Sequence, residues 1–216
     1  MIAYIVSNSK KSIRFVDVGC AHPIFDNNTF LLYRKGHFGV NVDARSEVKR
    51  LYSLFRPRDR FVNSIVSDSI ESEFADFYVN ADDPHVSSIS ADWAVGNLES
   101  SRNLESRRLP VTTLADIFRS NWTFLGLDTV EKRNNVILVL SIDVEGQDLP
   151  VLTSNDWTAF IPDIVCIETF GTGNVNDLMQ GEIYQFLSLR GYQLAALTPL
   201  TSIFALGALV QPMESE

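Results

Sequence analysis

Two short apolar runs that end in aspartate and glycine constrain this chain most: Arg14-Phe15-Val16-Asp17-Val18-Gly19-Cys20 and Phe38-Gly39-Val40-Asn41-Val42-Asp43-Ala44. Runs this apolar suit strands covered on both faces, which belong to a parallel sheet flanked by helices. In such a sheet ligands sit beyond the carboxyl ends of the strands. A glycine turn after the first strand and a carboxylate closing the second therefore describe a nucleoside pocket.

The rest of the chain repeats the alternation of strand and helix. The first strand runs from about Ile13 to Val18, and a helix near Asn28 to Lys35 ends at Gly36. Gly39 to Asp43 forms the second strand, after which Ser46, with Glu47 behind it, opens a helix that Pro57 stops after Phe55. Arg60 to Val66 reads as the third strand, ending at Ser67-Asp68. Beyond it the pattern degrades into a strand over Phe74 to Val79 and a polar stretch, so 80–110 is read as an irregular insertion or lid within a single domain spanning 1–216. Thr112 and Thr113 cap a helix reaching Ser120, and Val136 to Ile142 is a buried strand ending at Asp143. A short helix over Gln147 to Thr153, a strand from Asp163 to Ile167 closed by Glu168, and a helix from Ile183 to Arg190 follow. Tyr192 to Leu197 and Ile203 to Val210 are joined by too few residues for a helical crossover, so they are expected to form an antiparallel hairpin. The fold class is α/β, a mostly parallel sheet finished by that hairpin.

Composition narrows the function. The 216 residues, 45% hydrophobic and 21% charged, suffice for one sizeable core. A net charge of −9 opposes binding to polyanions, so no nucleic acid partner is expected; Arg56, Arg58 and Arg60 could make a local basic patch but read first as a solvated helix end. Two cysteines, Cys20 and Cys166, give neither a disulfide framework nor a zinc site and fit a reducing cytoplasm. No apolar run reaches the roughly 20 residues of a membrane helix, and the polar Ser7 to Ser12 stretch stands where a signal peptide would be apolar. The expectation is a cytoplasmic protein without a membrane span.

The candidate pocket residues have distinct roles. Gly19 lets the chain turn and bring its amides against a ligand, with Cys20 beside it. Asp43, followed by Ala44, can accept two hydrogen bonds from a ribose diol, each charge-assisted bond contributing about 1.5–3 kcal/mol. Asp68, preceded by Ser67, is placed to reach an adenine amino group. Gly19 is followed by Cys20-Ala21-His22-Pro23, so the second and third glycines of a G-x-G-x-x-G pyrophosphate turn are missing and NAD is disfavoured. S-adenosylmethionine has no phosphate and carries a cationic sulfonium, which an acidic rim of Asp17, Asp43, Asp143 and Glu145 would attract.

Phe15-Val16-Asp17-Val18-Gly19-Cys20-Ala21-His22-Pro23, Asn28-Thr29 and Gly39-Val40-Asn41-Val42-Asp43-Ala44 resemble the FkbM-type S-adenosylmethionine-dependent methyltransferases. Ser141-Ile142-Asp143-Val144-Glu145-Gly146-Gln147-Asp148-Leu149 is similar to that family's second hallmark, and Pro162-Asp163-Ile164-Val165-Cys166-Ile167-Glu168 to its next strand. The resemblance runs from Ile13 to the last strand. It implies a class I, Rossmann-like three-layer sandwich with a seven-stranded sheet, S-adenosylmethionine as methyl donor, and O-methylation of a sugar, glycan or glycosylated natural product. The chain departs from the family at Cys20, where Ala is common, and at Thr169, where a His often follows the strand-ending Glu.

Methyl transfer to a hydroxyl needs alignment, worth on the order of 7–11 kcal/mol, and a group to take the proton. Asp143 and Glu145 are the first candidates for that role and His22 the third; Asp143 could instead hold the methionine amino group, Glu145 cap a helix and His22 shape its loop. Asp143, Glu145 and Asp148 also offer oxygen ligands to magnesium, so a divalent metal stays open, while His37 and His85 read as loop residues. Tyr78, Asn80, His85 and Trp93 could contact a sugar ring. Two other readings remain: a catalytically inactive, methyltransferase-like nucleoside-binding or interaction protein, and a magnesium-dependent phosphoesterase. The acceptor and the oligomeric state are not legible here.

Overall fold

The computed structural model describes residues 2–6, 9–68, 73–80, 88–89, 104–169 and 174–207. In chain order these form α1 (Ile2–Ile5), β1 (Ser12–Val18), α2 (Phe30–Arg34), β2 (Phe38–Asp43), α3 (Val48–Phe55), β3 (Arg60–Asn63), β4 (Ile65–Val66), β5 (Phe74–Asn80) and β6 (Leu104–Thr112). There follow α4 (Leu114–Asn121), α5 (Val130–Asn134), β7 (Val136–Ile142), α6 (Asp148–Thr153), β8 (Ile164–Glu168), α7 (Val175–Gln180), α8 (Glu182–Ser188), β9 (Tyr192–Leu197) and β10 (Thr201–Leu206).

Seven strands make the main sheet, in the order β3-β2-β1-β7-β8-β10-β9. β3, β2, β1, β7 and β8 run parallel, and β10 pairs antiparallel with both β8 and β9. This is the mixed α/β, mostly parallel sheet expected of a Rossmann-like methyltransferase fold. The strand order reverses between β1 and β7, so the connections leaving them pass to opposite faces of the sheet and leave a crevice at the strand ends.

Alternation along the strands builds a core on each face of the sheet. Val16, Val18, Val40, Val42, Leu138 and Leu140 pack with Leu114 and Phe118 of α4, Val151 and Leu152 of α6 and Leu187 of α8. Ile13, Phe15, Ile137, Val139, Ile164 and Cys166 pack on the other side with Leu32 of α2 and Ile2 of α1. All seven residues of β7 are buried, which explains why six of them are Val, Ile or Leu. Gly39 has a steric purpose: a β-carbon there would lie 2.2 Å from the ring of Phe15, so only glycine lets that fully buried ring lie across β2.

Several sequence expectations need correction. Arg60 to Val66 is not one strand. Ser64, between β3 and β4, donates its amide to Asp43 O at 3.2 Å and its hydroxyl to Pro110 O at 2.9 Å. That turns β4 out of the main sheet into a second one, ordered β4-β6-β5. Residues 104–110, expected to be irregular, belong to β6 and pair antiparallel with β5 from Phe74↔Pro110 to Asn80↔Leu104. The remainder of the proposed insertion, 81–87 and 90–103, lies outside the described residues, His85 and Trp93 included. Ser46 does not cap α3 through its side chain; the N-cap is Glu47, which makes no capping hydrogen bond. Thr113 does cap α4, accepting from the Asp116 amide.

Of the three arginines only Arg56 departs from the solvated reading; Arg58 and Arg60 are exposed. Arg56 is 1% exposed, bonded to Asp59 at 2.7 Å, to Asn27 Oδ1 at 3.0 Å and to Thr29 Oγ1 at 3.0 Å. Arg58 lies over the Tyr33 ring and Arg60 over that of Phe124. No described helix is long and apolar enough to cross a membrane.

Candidate active site

The register of the parallel strands sets the site. Val18 pairs with Val42 on one side and with Ile142 on the other, and Ile142 pairs with Ile167. Gly19, Asp43, Asp143 and Glu168 are each the next residue after that row. Backbone bonds carry the order past the strand ends, with Gly19 N donating to Val42 O at 2.9 Å and Asp143 N to Val18 O at 3.0 Å. All four residues line one cavity of about 370 Å³, within the size range of small-molecule sites.

One wall comes from the β1 turn, where Gly19 has φ +77° and a β-carbon would stand 1.7 Å from Asp143 O. Another is the apolar strip Ile65, Val66, Phe77 and Ile89, supplied by the second sheet and the described residues facing it. Ala21, Asp26 and Glu145 have positive φ (45°, 48° and 53°) without being glycine, and all three line the cavity. Such conformations cost on the order of 1–3 kcal/mol each and concentrate where a site must be shaped.

Asp43 is 4% exposed and fully engaged. Its Oδ2 accepts from the Ala21 amide at 2.9 Å and from Arg45 Nη2 at 3.0 Å, and its Oδ1 from the Arg45 amide at 2.8 Å and Nε at 3.0 Å. The carboxylate thus fastens the turn after β1 to the turn after β2, and places a guanidinium on the cavity wall.

Opposite stands a cluster of acids. Burial, then the charge of Asp17 behind it, raises Asp143 to about 6. Asp148, at the first turn of α6, is raised to about 6 by burial, although the Val144 amide 3.3 Å away opposes the shift. Burial, followed by the charges of Asp143, Glu145 and Asp148, raises Glu168 to about 8. Its Oε2 is enclosed and has no hydrogen-bond partner among the described residues. An acid cluster with no Lys or Arg among it in the described residues, held in a desolvated wall, suits a ligand that brings a positive charge.

Of the residues singled out from sequence, the structure brings Gly19, Asp43, Ala44, Asp143 and Glu145 to the cavity wall. The others are absent from that wall among the described residues. Asp17 is 2% exposed and points into the interior, where it accepts from Thr29 Oγ1 at 2.7 Å and lies in the Arg56 network. Cys20 is buried, its carbonyl accepting from Asn27 Nδ2 and from the Tyr52 hydroxyl, both at 2.8 Å. Ser67 is held by its amide to Thr112 O at 3.1 Å. Asp68 turns outward and accepts from Thr153 Oγ1 at 2.6 Å. His22 closes its own loop: Nδ1 accepts from the Ile24 and Phe25 amides at 3.2 and 3.1 Å, and the ring stacks on Phe25.

Sequence reasoning passed over Glu168, Arg45 and the apolar strip. Glu168 carried the same signal as Asp143, a carboxylate ending a buried strand. Arg45 gave no signal because its place is set by its bonds to the Asp43 carboxylate, and the strip gave none because its place depends on β4 leaving the main sheet. Among the described residues no group of three or more His, Cys, Asp or Glu side chains is arranged to hold a metal ion.

A mostly parallel α/β sheet with an acid-walled cavity of small-molecule size at its switch point defines a Rossmann-like protein. The chain belongs to the FkbM methyltransferase family: residues 17–194 match the family described as Methyltransferase FkbM domain. It is a methyltransferase by that membership. No curated protein and no solved structure gave a match.

Proposed function

We propose that the chain uses S-adenosylmethionine to methylate a hydroxyl oxygen of a sugar, glycan or glycosylated natural product. The observation that carries the donor assignment is the convergence of Gly19, Asp43 and Asp143 on one cavity whose wall also carries Glu145 and Glu168, with Arg45 its one described cation and that cation bonded to Asp43. The fit is chemical as well as spatial. A desolvated Asp143, raised to about 6, gains most from a neighbouring positive charge, and the sulfonium is one. The missing second and third glycines after Gly19 count against a pyrophosphate and not against this donor.

Asp43 would hold the ribose diol, sharing its oxygens with Arg45 and the Ala21 amide. Gly19 admits the ligand against the backbone, and Ile65, Val66 and Phe77 offer apolar surface for a base. Asp143 and Glu145 would hold the charged methionyl end. Bound S-adenosylmethionine would supply an electrophilic methyl carbon. The chain's own share is to exclude water, align the acceptor and take up its proton, and alignment alone can contribute about 7–11 kcal/mol. The hydroxylated, carbohydrate-type acceptor is part of the proposal and is supported by the resemblance of the strand-end motifs to the FkbM-type enzymes.

A thermal shift experiment tests the donor. S-adenosylmethionine and S-adenosylhomocysteine should each raise the melting midpoint, while NAD should not, because only a ligand of the folded state stabilises it. No shift with either sulfur compound would refute the reading.

A further inference from the structure

We infer that a second cavity, adjoining the first at Glu168, seats the methyl acceptor, and that Glu168 is the catalytic residue that takes the acceptor's hydroxyl proton. This rests on the methyl-transfer reading above and names what that reading leaves open: the acceptor's seat, its charge class and the base.

The second cavity measures about 260 Å³ and is walled by residues of α6, α7 and α8, Asp148, Leu178, Glu182 and Tyr184 among them. Glu168 is the one described residue on the walls of both cavities. It stands level with Asp143 in the sheet register, so a group reaching Glu168 from the second cavity approaches the charged end of the first. Its Oε2 is enclosed and unpartnered among the described residues, a state that a hydroxyl donor would relieve. Asp143 and Glu145 line only the first cavity, which leaves Glu168 as the carboxylate facing both reactants.

The walls also select the acceptor's charge. Asp148, Glu168 and Glu182 line the second cavity and no described Lys or Arg does. An acceptor carrying a carboxylate or phosphate is repelled there, whereas a neutral polyol or an amine-bearing sugar is admitted. Tyr184, whose ring meets Phe204 edge-on at 5.9 Å, offers a ring face of the kind on which a sugar packs.

In the step itself the hydroxyl oxygen bonds to the methyl carbon while the carbon–sulfur bond breaks, its electron pair remaining on sulfur, which becomes a neutral thioether. The hydroxyl proton passes to Glu168. The charged groups facing Glu168 are Asp143 at the end of β7, Glu145 in the next turn, Asp148 on α6 and Glu182 on α8; Thr201, its partner on β10, carries no charge. These neighbours and burial raise Glu168 to about 8, so the fraction able to take a proton grows as pH rises towards that value.

The test measures methyl transfer from S-adenosylmethionine to three ring-matched probes, methyl glucoside, glucosamine and glucuronate, beside S-adenosylhomocysteine binding. Wild type should methylate the neutral or the amino probe about 100-fold better than glucuronate. Glu168→Gln should keep S-adenosylhomocysteine affinity within about threefold, lose about 100-fold or more in kcat, and lose the rise of kcat with pH. Glu182→Lys should keep that affinity and narrow the preference against glucuronate. Equal transfer to all three probes, full kcat in Glu168→Gln, or no transfer to any probe by protein that binds S-adenosylhomocysteine would each overturn this inference alone. Failure of wild type to bind S-adenosylhomocysteine would overturn the donor reading, and this one with it.

Discussion

Gly19 and Asp143 meet so closely that a β-carbon on Gly19 would lie 1.7 Å from the Asp143 carbonyl oxygen. The contact joins the ends of β1 and β7, the two strands between which the sheet reverses its order.

Gly19→Ala should therefore be severe. The new methyl collides with backbone that cannot move without shifting β7, and φ +77° disfavours any side chain. The expected result is a loss of S-adenosylhomocysteine affinity of at least about 100-fold together with a melting midpoint lower by roughly 4–10 °C. Calorimetric titration and thermal denaturation read the two effects separately, and near-wild-type values in both would contradict the geometry.

Asp43→Ala should abolish cofactor binding, whereas Asp68→Ala and His22→Ala should leave it within about threefold. Losing two charge-assisted hydrogen bonds costs about 3 kcal/mol or more, at least 100-fold in affinity. Asp68 instead bonds Thr153, and His22 bonds the amides of its own loop. Parallel titrations of the three variants decide whether the structure assigns these carboxylates and this imidazole correctly.

Arg56→Met should destabilise the protein without touching the cavity wall. The guanidinium is enclosed and bonded to Asp59 at 2.7 Å, and it holds Asn27 and Thr29 in the loop before α2. Removing one member of a buried ion pair costs about 3–5 kcal/mol, a fall in melting midpoint on the order of 10 °C. Urea unfolding of wild type and variant gives the figure directly.

Stability of the ligand-free chain should fall as pH rises. Folded-state values of about 6 for Asp143 and Asp148, against an ordinary 3.8, mean that the folded chain keeps protons the unfolded chain has released. Glu168, at about 8 against 4.5, extends the same effect. The contribution is fully present below about pH 4 and is lost as pH climbs through the folded values. The melting midpoint should drop between about pH 5 and pH 8.5, less steeply in Glu168→Gln and in wild type saturated with S-adenosylmethionine. A midpoint that climbs across that window would refute the raised values.

Much of the fold was legible in advance because β1, β2, β7 and β8 are covered on both faces, and burial of that kind writes itself as runs rich in Val, Ile and Leu. The antiparallel pairing of β9 with β10 was legible from a connection too short to cross over. What lay beyond the strand ends was harder. Asp68 and Asp43 look alike as residues following apolar runs, yet one turns out to Thr153 and the other into the cavity. Arg56 looks like a surface charge at a helix end, and its burial follows only from Asn27, Thr29 and Asp59 converging on it from two separate loops.

The amino-acid order by itself determined the parallel sheet, its glycine turn and the carboxylates Asp43, Asp143 and Glu168 at the strand ends, because strand periodicity and burial act locally along the chain. Tertiary structure alone decided which acids share a cavity, that Asp17 and His22 serve as supports, and that Glu168 stands between two cavities. Those outcomes depend on register between strands distant in sequence and on β4 leaving the sheet at Ser64, and no local pattern encodes a contact between residues so far apart.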